Sequence, residues 1–144
     1  MCTPSADICT GENICVSGAC VPAFGRFYEV RDVSVSVPTT DDTGAAWDAL
    51  GGAPDPFIVV SVDGSEIATS ATRDDTFSAS FAGPYAASLL AGSSLTIEVY
   101  DEDVSFNDLM FTCSASPITA NLLRGRSLAC NGSGYSVSFQ IDPR

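Results

Sequence analysis

The sequence predicts an all-β fold, an eight-stranded antiparallel β-sandwich that follows a small disulfide-rich segment. Two runs, 57–62 and 95–100, are apolar or β-branched and are bounded by Pro, Gly or Asp, which is typical of central strands. Elsewhere apolar residues alternate with small polar ones, as in strands with one buried and one solvated face. This alternation is clearest in residues 33–37, 77–81 and 135–141.

Eight segments have strand character, and turns rich in Gly, Pro, Asp and Ser separate them. In chain order they span residues 27–37, 56–62, 65–72, 76–82, 94–100, 109–116, 126–130 and 135–141. Two stretches, 86–90 and 118–123, would permit a helix but are too short to change the architecture. Many short strands with frequent turn signals favour two antiparallel sheets packed face to face.

Composition limits what this chain can do. With 144 residues, of which 45% are hydrophobic, it can form one ordinary domain plus a small appendage. The formal net charge is -12, there is no lysine or histidine, and the six arginines are scattered. Nucleic-acid binding is therefore not expected, because neutralising phosphates requires a basic face.

Six cysteines, an even number, predict an oxidised protein. Four of them lie in residues 1–24, a segment too short to bury a core of its own, whereas residues 25–144 make up the sandwich. The spacings lack the paired C-x-x-C of common zinc sites, so two disulfides are favoured over a metal knuckle. Of the three connectivities we favour Cys2 with Cys15 and Cys9 with Cys20; the later pair is Cys113 with Cys130.

The cysteine content indicates a secreted, periplasmic or cell-surface protein whose export signal has been removed. No apolar run is long enough to span a membrane. If Cys2 instead carried a lipid, five cysteines would remain and one would be unpaired, which counts against that alternative.

Two glycine- or turn-rich segments carry closely spaced aspartates. Asp48 and Asp55 lie in WDALGGAPDPF, and Asp101, Asp103 and Asp108 lie in YDEDVSFND. Carboxylates crowded at strand ends repel one another unless a multivalent cation lies between them. Without histidine or free thiols, oxygen ligands remain, and they favour calcium over zinc, copper or iron.

These two segments, in this order at strand ends, resemble the calcium loops of the C2 domain, the calcium-dependent phospholipid-binding β-sandwich. The resemblance covers about residues 27–142. A first strand directly before the first acidic loop, and an additional strand at the end of the chain, are similar to the type II arrangement of that family. The resemblance implies that Asp48 and Asp55 are ligands from the first calcium loop and that Asp101, Asp103 and Asp108 are ligands from the third.

Neutral ligands and contact residues can also be assigned. The backbone carbonyls of Trp47 and Glu102 lie beside the key aspartates and are the expected neutral ligands, while the Trp47 side chain is expected to anchor the first loop. The apolar residues within the two loops resemble the membrane-insertion tips of the family, although they could instead pack over their own loops. These are Leu50, Val104 and Phe106.

No pairing of a nucleophile with a base is visible, so we expect a non-enzymatic protein. Two carboxylates could serve a glycosidase, but a sandwich of this size with one tryptophan has little room for an aromatic cleft. Two functions remain. The favoured one is a calcium-clamped extracellular or cell-surface structural protein that associates with copies of itself, its N-terminal arm free to reach a neighbour. The alternative is a calcium-switched module that binds acidic membrane lipid or a surface partner.

Overall fold

The computed structural model describes residues 1–48, 51–103 and 106–144, and these form a β-sandwich with a small N-terminal hairpin and one short helix. None of the helices in this part of the chain has the length and apolar character needed to cross a membrane. In chain order the elements are β1 (Asn13–Val16), β2 (Ala19–Pro22), β3 (Arg26–Ser36), β4 (Pro56–Val62), β5 (Ser65–Thr69), β6 (Ser78–Phe81), β7 (Tyr85–Leu89), β8 (Leu95–Asp101), β9 (Asp108–Ala115), α1 (Ala120–Gly125), β10 (Ser127–Gly132) and β11 (Tyr135–Pro143).

Two antiparallel sheets form the sandwich. One has the order β5-β4-β8-β9; in the other, β10, β11 and β3 are neighbours, and β6 and β7 both pair with β3. The C-terminal strand β11 thus lies between β10 and the first sandwich strand, which agrees with the type II-like arrangement. The predicted all-β sandwich is confirmed.

The core lies between the sheets and follows the alternation in the sequence. In β8, Leu95, Ile97 and Val99 are buried and the residues between them are half-buried. In β11, Val137, Phe139 and Ile141 point to the same core. Burial on one face of each strand is what removes apolar area from water and fixes the register of the sheets.

The described part of the sandwich has nine strands, β3 to β11, one more than predicted. Residues 85–89, which overlap the stretch that would permit a helix, form β7, with Ala87 and Leu89 buried and Ala86 and Ser88 exposed. Alanine and serine obscure the alternation because they carry little hydrophobic contrast. β6 and β7 pair with successive halves of β3, and Gly83 separates them at φ 73°. A Cβ at Gly83 would lie 2.8 Å from the Val30 carbonyl oxygen, so the position requires glycine.

The three disulfides in the structure join Cys2 to Cys15, Cys9 to Cys20 and Cys113 to Cys130. These are the pairs favoured from the sequence. The third joins β9 at the edge of one sheet to β10 at the edge of the other, so it closes one side of the sandwich. Three disulfides are typical of proteins that fold in an oxidising environment.

The N-terminal segment is not a free arm, contrary to expectation. Ile14 and Ala23 belong to the main core, and the Tyr28 hydroxyl donates to the Ala23 carbonyl oxygen at 2.6 Å. Arg124 of α1 donates to the carbonyl oxygens of Gly11 and Asn13 at 2.8 and 2.9 Å. Arg126 donates to the Cys15 carbonyl oxygen. The sequence could not show this docking, because it depends on where α1 packs in three dimensions.

Candidate metal centre

The acidic residues predicted as ligands lie at one end of the sandwich, here called the acidic end. It comprises the described residues of the connections that adjoin β3, β4, β5, β6, β8 and β9, namely 37–48, 51–55, 70–77, 102–103 and 106–107. The pairing of Pro56 and of Asp108 with Asp101 brings the starts of β4 and β9 to the end of β8. Sheet register therefore unites two acidic segments that lie far apart in the sequence.

Three carboxylates meet most closely. One carboxylate oxygen from each of Asp48, Asp101 and Asp103 lies within 4.8 Å of the others. Asp101 is only 1% exposed. Its Oδ1 accepts the backbone N–H of Asp55 at 2.8 Å, whereas its Oδ2 is buried and has no hydrogen-bond partner among the described residues. A buried carboxylate oxygen without a donor is costly unless a cation binds it.

Burial and neighbouring carboxylates raise the pKa values of Asp101 and Asp103. Burial raises the pKa of Asp101 to about 6, and the negative charges of Asp103, Asp48 and Asp55 add to this, while the hydrogen bond from the Asp55 N–H opposes it. Burial also raises the pKa of Asp103, followed by its hydrogen bond with Asp108 and the charges of Asp108, Asp48 and Asp55. These directions are those of a cluster that lacks positive charge.

Asp55 connects the loops as well as adding charge. Its Oδ1 accepts the backbone N–H of Asp75 at 2.6 Å, and its carbonyl oxygen accepts the N–H of Glu102 at 3.0 Å. The Asp75 carboxylate in turn accepts the N–H of Ala53 at 3.1 Å. The connection 70–77 therefore supports the first acidic loop, and Asp75 is a member of the site that the sequence did not indicate. It lies in neither acidic segment, so only the sheet topology brings it close.

Gly52 leaves room for the Asp48 side chain. A Cβ built on Gly52 would lie 2.9 Å from Asp48 Oδ2 and 3.5 Å from Asp75 Oδ1. Any larger residue would displace the Asp48 carboxylate from its neighbours.

The other residues named from the sequence lie around this cluster or outside the described part of the chain. Asp108 begins β9 opposite Asp101 and is exposed. Glu102 is exposed, and Asn107 accepts the N–H of Asp103 through its side-chain oxygen at 3.2 Å. The assignment of the Trp47 and Glu102 carbonyls as ligands stays a prediction. Leu50 and Val104 lie outside the described residues.

The Trp47 side chain packs within the fold, as expected of an anchor. Its indole N–H donates to the Pro38 carbonyl oxygen at 2.8 Å, and its ring meets Tyr135 edge-on at 6.5 Å between centroids. This contact fixes the start of the first acidic loop against β11.

The donor set fits calcium. Calcium binds six to eight oxygens in flexible geometry and accepts carboxylates from separate loops. Asp48, Asp101 and Asp103 would hold the ion, with Asp101 Oδ2 as the oxygen that otherwise lacks a partner. Cys2, Cys9 and Cys20 are also close together, but disulfides hold them, so they offer no thiolate.

Large apolar side chains are exposed at the same end. Phe106 is 77% exposed and Leu109 is 53% exposed, and they flank the start of β9. Phe77, beside the start of β6, is exposed to a smaller extent. The acidic end thus combines a carboxylate cluster with apolar groups in contact with water.

Comparison with solved structures shows the fold. The chain is similar to a structure described as a C2 domain, with a TM-score of 0.62 and 15% identity over 81% of this chain and 96% of that one. It is similar to Extended-Synaptotagmin 2, C2A and C2B domains, calcium bound, with a TM-score of 0.62 and 17% identity over 85% of this chain and 47% of that one.

A third similar structure is human GIVD cytosolic phospholipase A2, with a TM-score of 0.62 and 18% identity over 81% of this chain and 16% of that one. Neither a protein-family model nor a curated protein sequence matches this chain. At these identities the likeness establishes a C2-like fold, and function has to be argued from the site.

Proposed function

We propose that this protein is a non-enzymatic extracellular calcium-binding module. The observation that carries the proposal is Asp101, whose buried Oδ2 has no hydrogen-bond donor among the described residues and whose carboxylate meets those of Asp48 and Asp103. Supporting it, a similar solved structure is described as calcium bound. The affinity expected for an extracellular calcium site of this kind is about 10⁻⁴ to 10⁻³ M.

Isothermal titration of the metal-free protein with calcium chloride tests the proposal. Saturable binding should be lost when Asp101→Asn is combined with Asp103→Asn, because two of the three converging carboxylates then lose their charge. As a control, Glu12→Gln with Glu29→Gln removes two charges outside the cluster and should leave the affinity unchanged. Equal binding by both double variants would refute the site.

We further infer that the calcium-loaded acidic end docks onto a membrane surface of acidic lipid. Bound calcium replaces net negative charge at the loops with a cation that can attract anionic head groups. Phe106 and Leu109 are exposed beside the cluster, where they can enter the interfacial region of a bilayer. Because the N-terminal segment is docked, the argument for a free arm no longer favours self-association, and lipid binding becomes the better-supported function.

Co-sedimentation with phosphatidylserine–phosphatidylcholine vesicles, with calcium and with chelator, tests the docking. Phe106→Ser with Leu109→Ser should abolish the calcium-dependent fraction while calcium binding persists. The matched control is Phe27→Ser with Leu90→Ser, because both residues are exposed near the start of β3, at the opposite end of the sandwich. Equal loss in both double variants would argue against docking through the acidic end.

A structural clamp in a self-associating surface protein is the second candidate. Three disulfides and a metal cluster rigidify the chain, and the absence of lysine leaves few cationic groups for lipid head groups. Light scattering at raised calcium distinguishes the candidates. Calcium-dependent growth in mass without vesicle binding would favour the clamp, whereas a monomer that sediments with vesicles would favour lipid docking.

A further inference from the structure

A cavity lies at the acidic end, between β9 and the turn that joins β10 to β11. Its volume is about 470 Å³. Met110 and Phe111 of β9, Tyr135 of β11, and Asp41 and Asp42 in the connection after β3 line it. Gly132, the last residue of β10, lines the cavity too, and the disulfide between Cys113 and Cys130 links β10 to β9. The cavity is thus built on three strands, two of them covalently linked, and a loop.

Aromatic rings organise this cavity. Phe111 and Tyr135 stack with centroids 5.1 Å apart and planes at 7°, which joins the two sheets across the gap. Trp47 meets Tyr135 edge-on and holds Pro38, another lining residue, through its indole N–H. These contacts arrange the apolar part of the lining and secure the start of the connection that carries both carboxylates.

The two aspartates supply negative charge without a cationic partner. Within the described part of the chain, neither Asp41 nor Asp42 forms an ion pair. Asp41 Oδ1 accepts hydrogen bonds from the Thr43 N–H, the Thr43 hydroxyl and the Ala45 N–H at 2.9, 2.6 and 3.0 Å. These bonds lower the pKa of Asp41, with the largest effect from the Thr43 hydroxyl, so this carboxylate stays ionised.

The charge of these carboxylates reaches the aromatic lining. Burial raises the pKa of Tyr135, and the negative charges of Asp42 and then Asp41 raise it further. By contrast, besides burial, the charges that raise the pKa of Asp101 are those of Asp103, Asp48 and Asp55. Those that raise the pKa of Asp103, again besides burial, are those of Asp108, Asp48 and Asp55. The cavity and the metal centre therefore form two separate electrostatic groups.

We propose that this cavity binds a small organic ammonium ion, with the apolar groups against Met110, Phe111 and Tyr135 and the charge toward Asp41 and Asp42. Aromatic rings attract weakly hydrated organic cations, and nearby carboxylates add to the attraction. A hard cation such as calcium is a poor occupant, because it requires six to eight oxygen ligands. Much of the lining consists of the apolar or aromatic side chains of Pro38, Met110, Phe111 and Tyr135.

Two sources of such a cation share this chemistry. One is a methylated ammonium of the choline type, and the other is a primary ammonium such as a lysine side chain. Choline and N-acetyl-lysine amide represent them as probes. Saturable binding of either supports the proposal, and the tighter of the two identifies the source.

The two methionines of the chain allow a direct measurement. Met110 lines the cavity, whereas Met1 is fully exposed at the N-terminus and serves as an internal reference. Protein labelled with ¹³C at the methionine methyl groups is titrated with each probe at saturating calcium and constant ionic strength. The Met110 signal should shift along a saturating curve, and the Met1 signal should not.

Three comparisons make the result decisive. The neutral carbon isostere of choline, 3,3-dimethylbutan-1-ol, should give no saturable shift at the same concentrations. Asp42→Asn should weaken ammonium binding about fivefold, the effect of one unit charge roughly 4 Å away in water. Glu12→Gln, which removes a charge elsewhere, should change nothing. A Met110 shift that is linear, that the neutral isostere reproduces, or that Asp42→Asn leaves unaltered would overturn the proposal.

Discussion

At the scale of single residues, the most informative group is Asp101. Its position at the end of β8 places a carboxylate in the row of buried residues formed by Leu95, Ile97 and Val99. An apolar residue would pack better in this row. A polar residue with all its hydrogen bonds satisfied would lower the stability of the folded state less than Asp101 does. The folded protein therefore holds a charge at this position at the expense of its own stability.

The metal-free protein should lose stability as the pH rises through about 6. The folded pKa of Asp101 is about 6, above the value near 3.9 of an unfolded chain. Between about pH 4 and 6 the folded state therefore binds more protons than the unfolded state, and the free energy of unfolding falls with rising pH. Thermal unfolding in chelator from pH 4 to 7 measures this.

Asp101→Asn isolates the contribution of that residue, since asparagine resembles the protonated carboxyl group. The variant should match the native protein near pH 4, exceed its melting temperature at pH 7 without metal, and gain little from calcium. Identical pH profiles for the two proteins would show that Asp101 ionises without cost.

A second prediction concerns Gly52. Gly52→Ala should weaken calcium binding, because the new Cβ would lie 2.9 Å from Asp48 Oδ2 and push that carboxylate away. Gly125→Ala is the matched control, since its Cβ would meet no atom within 4 Å. Calcium titration of both variants, with unfolding curves to confirm that they fold, makes the comparison. Equal affinities would contradict the prediction that calcium binding by Asp48 depends on the space at Gly52.

At the scale of elements, the N-terminal hairpin is part of the sandwich. β1 contributes Ile14 to the main core. Arg124 in α1 and Arg126 just after it donate to the β1 carbonyl oxygens of Asn13 and Cys15. The disulfides stabilise the segment internally, but its attachment to the rest depends on this burial and on these hydrogen bonds.

Ile14→Ala should lower the free energy of unfolding by about 2 to 5 kcal/mol, the usual cost of truncating a buried isoleucine. Ile8, which lies in the same segment and is 69% exposed, provides the control. Ile8→Ala should change stability by no more than about 0.5 kcal/mol. Denaturant unfolding measures both. A small effect at Ile14 would indicate that the segment moves independently of the sandwich.

At the scale of the whole molecule, net charge and the acidic end act together. A formal charge of -12 opposes compaction through repulsion. The carboxylates of Asp48, Asp101 and Asp103 are crowded together at the acidic end. A cation bound there relieves local repulsion, while the three disulfides hold the remaining structure.

Calcium should raise the melting temperature by several degrees. A ligand at 100 times its dissociation constant stabilises the folded state by about 2.7 kcal/mol. Magnesium at the same concentration screens charge equally but demands stricter octahedral geometry, so it should stabilise less. Scanning calorimetry in calcium, magnesium and chelator separates specific calcium binding from general screening of charge. Equal shifts with both metals would indicate screening instead of a built site.

The sequence alone predicted the features that depend on local patterns. Alternation with a period of two revealed most strands, because the faces of a strand alternate residue by residue. Cysteine grouping separated Cys113 and Cys130 from the four N-terminal cysteines, and of the three connectivities open to those four the structure contains the favoured one. The two acidic segments indicated Asp48, Asp101 and Asp103, which the structure brings together.

Tertiary structure decided what depends on sheet order and packing. Asp75 joins the site because the connection after β5 lies beside the first acidic loop, and β7 forms because β3 offers it an edge. The same holds for the docked N-terminal hairpin and for the cavity between β9 and β11. These features join residues far apart in the chain, and such proximity leaves no periodic signal in the sequence, because it arises only when the sheets pack.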